Sequence, residues 1–359
     1  MRTKTLLAWV SILVIGFTLL SCSKGGSGGG TTPPPPAPAP GSTLKVSLDK
    51  TEIPGDNWET VNITVTDQNN NNVTSSSSIY LGNVLVSGNS FWTNTPGTYQ
   101  IQAKRSGITS PDVALTVTNP GPSPFSQKIV VEDYTGTWCG HCPRVGIKLE
   151  EYVNGGHPNC LVISNHGPNN DPYTFSNHAA LANVFNSQGL YPTVYVDRDF
   201  KWSENTSQLD QQFTNRRAPL GLAIQTTVTG NLVNVTAKVK FDVNTAVNLK
   251  LVAYLLQDGE VYPQVNYGYY GLPNPIPGYV HNGILRRTGT NLFGDDIPTA
   301  SQTKGNIYEK SFALDATGFN VNSCRVIVFV VQGPNSQQRK ERAIINAQVV
   351  KAGLTKDFD

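Results

Sequence analysis

Two cysteines, Cys139 and Cys142, lie two residues apart in Trp138-Cys139-Gly140-His141-Cys142-Pro143. Such a pair can close a small disulfide ring. The apolar run Ile129-Val130-Val131 reads as a buried strand, and a helical pattern follows Pro143. At a helix N-terminus the macrodipole and free backbone N–H groups favour a thiolate on Cys139. The thiolate is the attacking species in disulfide exchange. Cys139, if reachable from solvent, would attack a substrate sulfur, and Cys142 would resolve the mixed disulfide. A protonated His141 would favour the Cys139 thiolate. Asp133 shares the inward register of Ile129 and Val131, so burial would raise its pKa. It would then either exchange a proton with Cys142 or hydrogen-bond the turn above it. Glu132 should point the other way. Haem attachment would want His directly after the second cysteine, where Pro143 stands. A four-cysteine zinc site would want a second close pair, and Cys160 and Cys324 are isolated.

Several elements must position this ring. Val145, Leu149, Tyr152 and Val153 recur at helical spacing on one face. Pro143 suits the first turn, and Asn154-Gly155-Gly156 is a fitting stop. Residues 160–164 read as a second buried strand. A polar stretch, 166–177, leads to a helix around 179–186. The strand Thr193–Val196 and a closing helix at 207–217 complete the unit. Cys160 and Cys324 read as small buried hydrophobes, with a disulfide between them as the alternative. His166, Asp171 and His178 lack a tight ligand spacing, so they read as a polar loop, and no metal or cofactor is expected.

The motif resembles the active site of the thioredoxin and protein disulfide isomerase superfamily. Trp138 matches the aromatic before the first cysteine, and Pro143 the residue after the second. Asp133 falls where that superfamily often keeps a buried acid. Tyr191-Pro192-Thr193 matches the loop whose cis proline faces the disulfide. The resemblance implies a thioredoxin-like domain over 126–217, with a substrate groove shaped by Pro192 and flanked by Trp138. Thr193 would pair with an incoming peptide by main-chain hydrogen bonds. The Cys-Gly-His-Cys ring resembles disulfide isomerases, which leans towards oxidation or isomerisation.

The 359 residues allow two or three domains. With 33 glycines and 24 prolines, β-rich architecture is favoured. Residues 1–21 read as a signal peptide, with Arg2 and Lys4 before an apolar stretch too short for a transmembrane helix. Without Arg2 and Lys4 the basic residues fall from 27 to 25, equal to the 25 acidic ones. No nucleic-acid footprint is present. Leu19-Leu20-Ser21-Cys22 resembles a bacterial lipobox, which implies that Cys22 is lipidated and anchors the mature chain to a membrane. Residues 22–43, rich in Gly and Pro, form a tether. Ser23 and Lys24 stand where surface-exported lipoproteins often carry acidic residues, so the periplasmic and surface faces both stay open.

Residues 44–119 alternate in short runs (Val61/Ile63/Val65, Tyr99/Ile101/Ala103) and look like a bacterial immunoglobulin-like sandwich. Residues 218–359 return to β structure. Val233/Val235/Ala237/Val239/Phe241 alternate, Gly230-Asn231 reads as a hairpin turn, and about seven strands fit a sandwich. Residues 262–287 are rich in Tyr, Pro and Gly and long for a loop, so their tyrosines either line a ligand surface or plug a sandwich edge. The expected architecture is therefore multidomain, α/β plus all-β. A thioredoxin-like domain is flanked by an N-terminal immunoglobulin-like sandwich and a C-terminal one.

Together, the lipobox, the motif, Tyr279-Val280-His281-Asn282 followed by Leu285-Arg286, and Asn346-Ala347-Gln348 resemble one group. It is the outer-membrane lipoproteins related to the twenty-eight-kilodalton outer-membrane protein of oral Bacteroidetes, over roughly residues 127–352. The resemblance implies outer-membrane location but supplies no substrate. Two functions follow as expectations. One is thiol–disulfide exchange at the outer membrane, acting on cysteine-containing envelope proteins or peptides. The other is a non-catalytic surface, adhesion or ligand-binding lipoprotein.

Overall fold

The computed structural model describes residues 42–214, 216–336 and 338–359. The signal sequence, Cys22 and most of the tether lie outside the described residues. In the N-terminal module, Leu44–Leu48 pairs antiparallel with Val61–Asp67, and their apolar residues alternate inward as the period of a half-buried strand requires. A three-stranded and a six-stranded sheet enclose Ile53, Val61, Ile63, Ile79, Ile101 and Leu115.

Strands dominate the rest, and among the described residues there are three α-helices, of 13, 8 and 8 residues. A nine-stranded mixed sheet gathers strands from residue 129 to residue 351. Ile129–Thr135 lies between Cys160–His166, which is parallel to it, and Thr193–Val196, which is antiparallel. The sheet does not end at Cys160–His166. It passes through Ile284–Thr288, Leu249–Gln257 and Cys324–Gln332 to Ile344–Lys351.

This overturns the expected division into an α/β thioredoxin-like domain and separate sandwiches. The physical reason is visible in burial. Leu249–Gln257 and Cys324–Gln332 are buried on both faces almost throughout, so each needs a layer on either side. One face packs on a four-stranded antiparallel sheet through Leu222, Val233, Val235, Leu251 and Val328. The other face shares a core with Val130, Tyr134, Leu181 and Phe185, which belong to the motif half of the chain. One apolar core spans what the sequence divides. The hairpin at Gly230-Asn231 does join Leu220–Thr229 to Leu232–Phe241, with Gly230 at φ +60°.

Asn346 and Gln348, from the family-like segment, stitch these layers. Asn346 accepts from the Lys128 N–H at 2.9 Å and donates to the Leu220 carbonyl at 2.8 Å. Gln348 donates to the Leu222 carbonyl.

A charge pair sits in the shared core. Arg198 Nε and Nη2 donate to Glu132 at 2.8 and 2.7 Å, and Nη2 also reaches the Tyr254 hydroxyl at 3.0 Å. Both charged residues are buried, and the guanidinium lies against Phe185 and Phe329. Removing one partner strands a charge in an apolar core. Arg198→Met should therefore cost about 3–5 kcal/mol in urea unfolding, and adding Glu132→Leu should recover much of that loss.

Candidate functional site

Cys139 and Cys142 form a disulfide, with Cα atoms 5.4 Å apart. Cys142 opens the helix Cys142–Asn154, and its N–H donates to the Cys139 carbonyl at 3.1 Å. Pro143 occupies the first turn. The helix buries Val145, Leu149 and Tyr152 on the sheet, against Ile129 and Val131. That anchorage fixes the ring above the C-terminal end of Ile129–Thr135.

Asp133 points into this same layer, opposite Ser164 and Val194 in register. It is 3% exposed, and its Oδ1 has no hydrogen-bond partner. Burial, helped by the Glu204 charge, pushes its carboxyl up to about 8. It is therefore protonated at neutral pH. Asp171 anchors the loop before the ring, because its carboxylate accepts from the Thr137 N–H at 2.6 Å and the Tyr173 N–H at 2.9 Å.

Sequence reasoning missed the main feature of the site, which is that residues 262–281 fold across the ring as a strap. The Val265 N–H donates to the Thr137 carbonyl at 2.8 Å, and the Tyr267 N–H to the Gly140 carbonyl at 2.9 Å. The Gln264 side-chain amide donates to the carbonyls of Gly136 and Cys139. Tyr269 hydroxyl meets His141 Nδ1 at 2.8 Å and Arg144 at 3.1 Å, and Arg144 is paired with Glu204. Asn266, buried, braces the strap by donating to the Leu272 carbonyl. Two glycines make room for this contact. A Cβ at Gly140 would stand 2.4 Å from the Tyr267 ring, and one at Gly146 would stand 2.7 Å from the Tyr279 hydroxyl. The signal in the sequence was two small residues near the motif and, more than a hundred residues later, an aromatic-rich loop, with nothing local to link them.

The strap leaves Cys139 5% and Cys142 2% exposed. This corrects the expectation of a solvent-reachable sulfur, because folding of a distant segment over the motif buries it. His141, expected to act on the Cys139 thiolate, is exposed and engaged with Tyr267 and Tyr269. Trp138 packs edge-on against Tyr191. The Tyr191–Pro192 peptide is cis, and Thr193 is buried opposite Tyr134 with its hydroxyl unpartnered. His166 bonds Asp171 at 3.1 Å, whereas His178 turns to Asn165 and Tyr191. Cys160 and Cys324 are free thiols buried in different cores, and burial pushes them up to about 12 and 11. Arg286 donates to Gln257 and lies over Tyr173 and Phe319.

Behind the ring is a cleft of about 270 Å³ between the motif helix and residues 279–283. Its rim is exposed at Glu150, Asn154, Val280 and Asn282, and its buried lining includes Asp133, Cys142, His166 and His281. Cys142 lines this space and Cys139 does not. His281 Nε2 donates to the Tyr262 carbonyl at 3.2 Å. Burial lowers this ring's pKa to about 4, so it is neutral there.

Residues 178–356 match the family model described as outer membrane protein Omp28. The match relates this C-terminal half to that family and supports an envelope, outer-membrane location. The two ring cysteines precede the matched stretch. Among solved structures, HBP35 of Porphyromonas gingivalis is similar in fold. It shows 20% identity and a TM-score of 0.53, covering 64% of this chain and 76% of its own. A protein of Agrobacterium tumefaciens covers 65% of this chain and 98% of its own at 12% identity, with a TM-score of 0.40. Comparison with curated proteins returned no match. Among the described residues, no helix is long and apolar enough to cross a membrane.

Asp133 gives a pH test. From about pH 4 to about pH 8 the folded chain keeps a proton that the unfolded chain has released, so folding weakens as pH rises through that window. Asp133→Asn should gain stability relative to the parent between about pH 5 and about pH 8. Urea midpoints at both pH values check this, and an unchanged difference would mean that the carboxyl ionises normally.

Proposed function

We propose that this is an outer-membrane-associated protein whose Cys139–Cys142 pair exchanges with thiols and disulfides of envelope proteins or peptides, under control of the strap. The observation that carries this reading is the disulfide at the start of a packed helix, set above the unpartnered, protonated Asp133. In the reduced pair, Cys139 would attack a substrate sulfur. The helix dipole would stabilise its thiolate, and Cys142 would resolve the mixed disulfide while Asp133 held or took a proton. Lipidation at Cys22 would supply the membrane anchor.

The strap sets the condition for that chemistry. Its Val265 and Tyr267 N–H groups occupy ring-side carbonyls as a bound peptide would. A protein substrate must displace these bonds, each with a net worth of about 1 kcal/mol. Burial of both sulfurs favours a second reading, in which the ring is an inert clamp and the β layers bind an envelope ligand.

Two measurements separate these readings. Equilibration with glutathione and reshuffling of a scrambled test protein should both register the ring, and Cys139→Ser should abolish reshuffling. If Cys139→Ser performs like the parent, the exchange reading fails. Tyr267→Ala loosens the strap without touching either sulfur. It should speed reduction of the ring by a protein dithiol by about tenfold, as loss of about 1.4 kcal/mol of cover predicts. An unchanged rate would favour the clamp. Cells carrying Cys142→Ser should accumulate mixed disulfides with envelope proteins.

A further inference from the structure

Attack on a disulfide runs along the S–S axis, so the sulfur that is attacked is set by the side from which space is open. On the Cys139 side the ring is covered. Gln264 holds the Cys139 carbonyl, the Tyr267 ring lies on Gly140, and the strap backbone is bonded on either side of Cys139. On the Cys142 side lies a cleft with an exposed rim, and Cys142 and Asp133 are among its buried lining residues. Asp133 is nine-tenths buried and more, and its Oδ1 is left without a partner.

We propose that the cleft admits a small, uncharged, hydroxyl-bearing thiol that opens the ring by attacking Cys142 rather than Cys139. This rests on the exchange reading above and names one class of reductant for it. The thiol leaves its proton to solvent at the rim, and its thiolate sulfur forms a bond to Cys142 Sγ. The Cys139–Cys142 bond breaks, and its electron pair departs on Cys139 as a thiolate. A second molecule of the thiol then attacks the mixed disulfide at the small-molecule sulfur. The Cys142 thiolate leaves and takes a proton, and the symmetrical small disulfide is released. Two thiols are oxidised and one ring is reduced.

The chemistry of the parts agrees with this polarity. Exchange is faster when the leaving thiol has the lower pKa. Cys139, just before the helix N-terminus, is the better-placed thiolate of the two. Within the cleft Asp133 is protonated and His281 neutral, so neither adds a charge that would repel an incoming thiolate. The unpartnered Oδ1 offers a partner to a hydroxyl on the ligand. Glu150 at the rim disfavours anionic thiols, and Arg325, which also lines the cleft, is paired with Asp258.

The test uses the oxidised full chain and 2-mercaptoethanol. After brief exposure the reaction is quenched with acid and N-ethylmaleimide, and peptides are mapped by mass. The expected adduct is mercaptoethanol on Cys142 with maleimide on Cys139. Mercaptoethanol on Cys139 would overturn the proposal while leaving the exchange reading intact. A ring that stays closed while an unfolded control is reduced would overturn both. If the ring opens with no adduct retained, Val280→Trp decides, because it narrows the rim away from both sulfurs. It should slow reduction by 2-mercaptoethanol by about tenfold, with Tyr267→Ala near the parent rate for this reagent. No slowing in Val280→Trp would overturn the proposal.

Discussion

The site depends on a few backbone hydrogen bonds between segments more than a hundred residues apart. The N–H groups of Val265 and Tyr267 meet the carbonyls of Thr137 and Gly140. Without them the motif would be a ring at an exposed helix start, and with them it is an interior feature. Everything chemical about the pair follows from this cover. It covers the Cys139 side of the ring and makes access from that side a question of strap free energy. The strap is itself held by Asn266 and by the bridge between Gln264 and Ile276. It is therefore a braced segment rather than a slack loop.

The extended sheet makes that cover possible. Ser164, on the strand beside the motif strand, sits opposite Ile284, and the strap is the chain that precedes Ile284. The strap can reach the ring because its exit strand is built into the same sheet. A free-standing motif domain would give those residues no fixed point from which to span it. The stretch that matches the envelope family and the strand that leads into the ring thus meet in one core.

Features set by local physics were legible in the sequence. The spacing of Val145, Leu149 and Tyr152 marks the helix face, Gly230-Asn231 marks a turn, and the register of Ile129 and Val131 places Asp133 inward. Features set by distant pairing were not. Nothing near Cys160–His166 shows that its open side is taken by a strand more than a hundred residues later. Arg198 lies 66 residues from Glu132, in a turn with no periodic pattern to declare it. The tyrosines of the strap could be counted, but their contact with Gly140 depends on the absence of a side chain there. The thioredoxin-like expectation came from the motif and its downstream proline. It did not weigh the doubly buried strands that pull the sheet onward.

Glu132 and Asp133 are neighbours on one strand and face opposite layers. The first is paired with Arg198, and the second is protonated with one oxygen unpartnered. Because strand side chains alternate, a slip of one residue would exchange their surroundings. The anion would then lie beneath the disulfide, and the guanidinium would face an apolar neighbour. The two neighbouring carboxyls thus make strand alignment an electrostatic matter as well as one of packing.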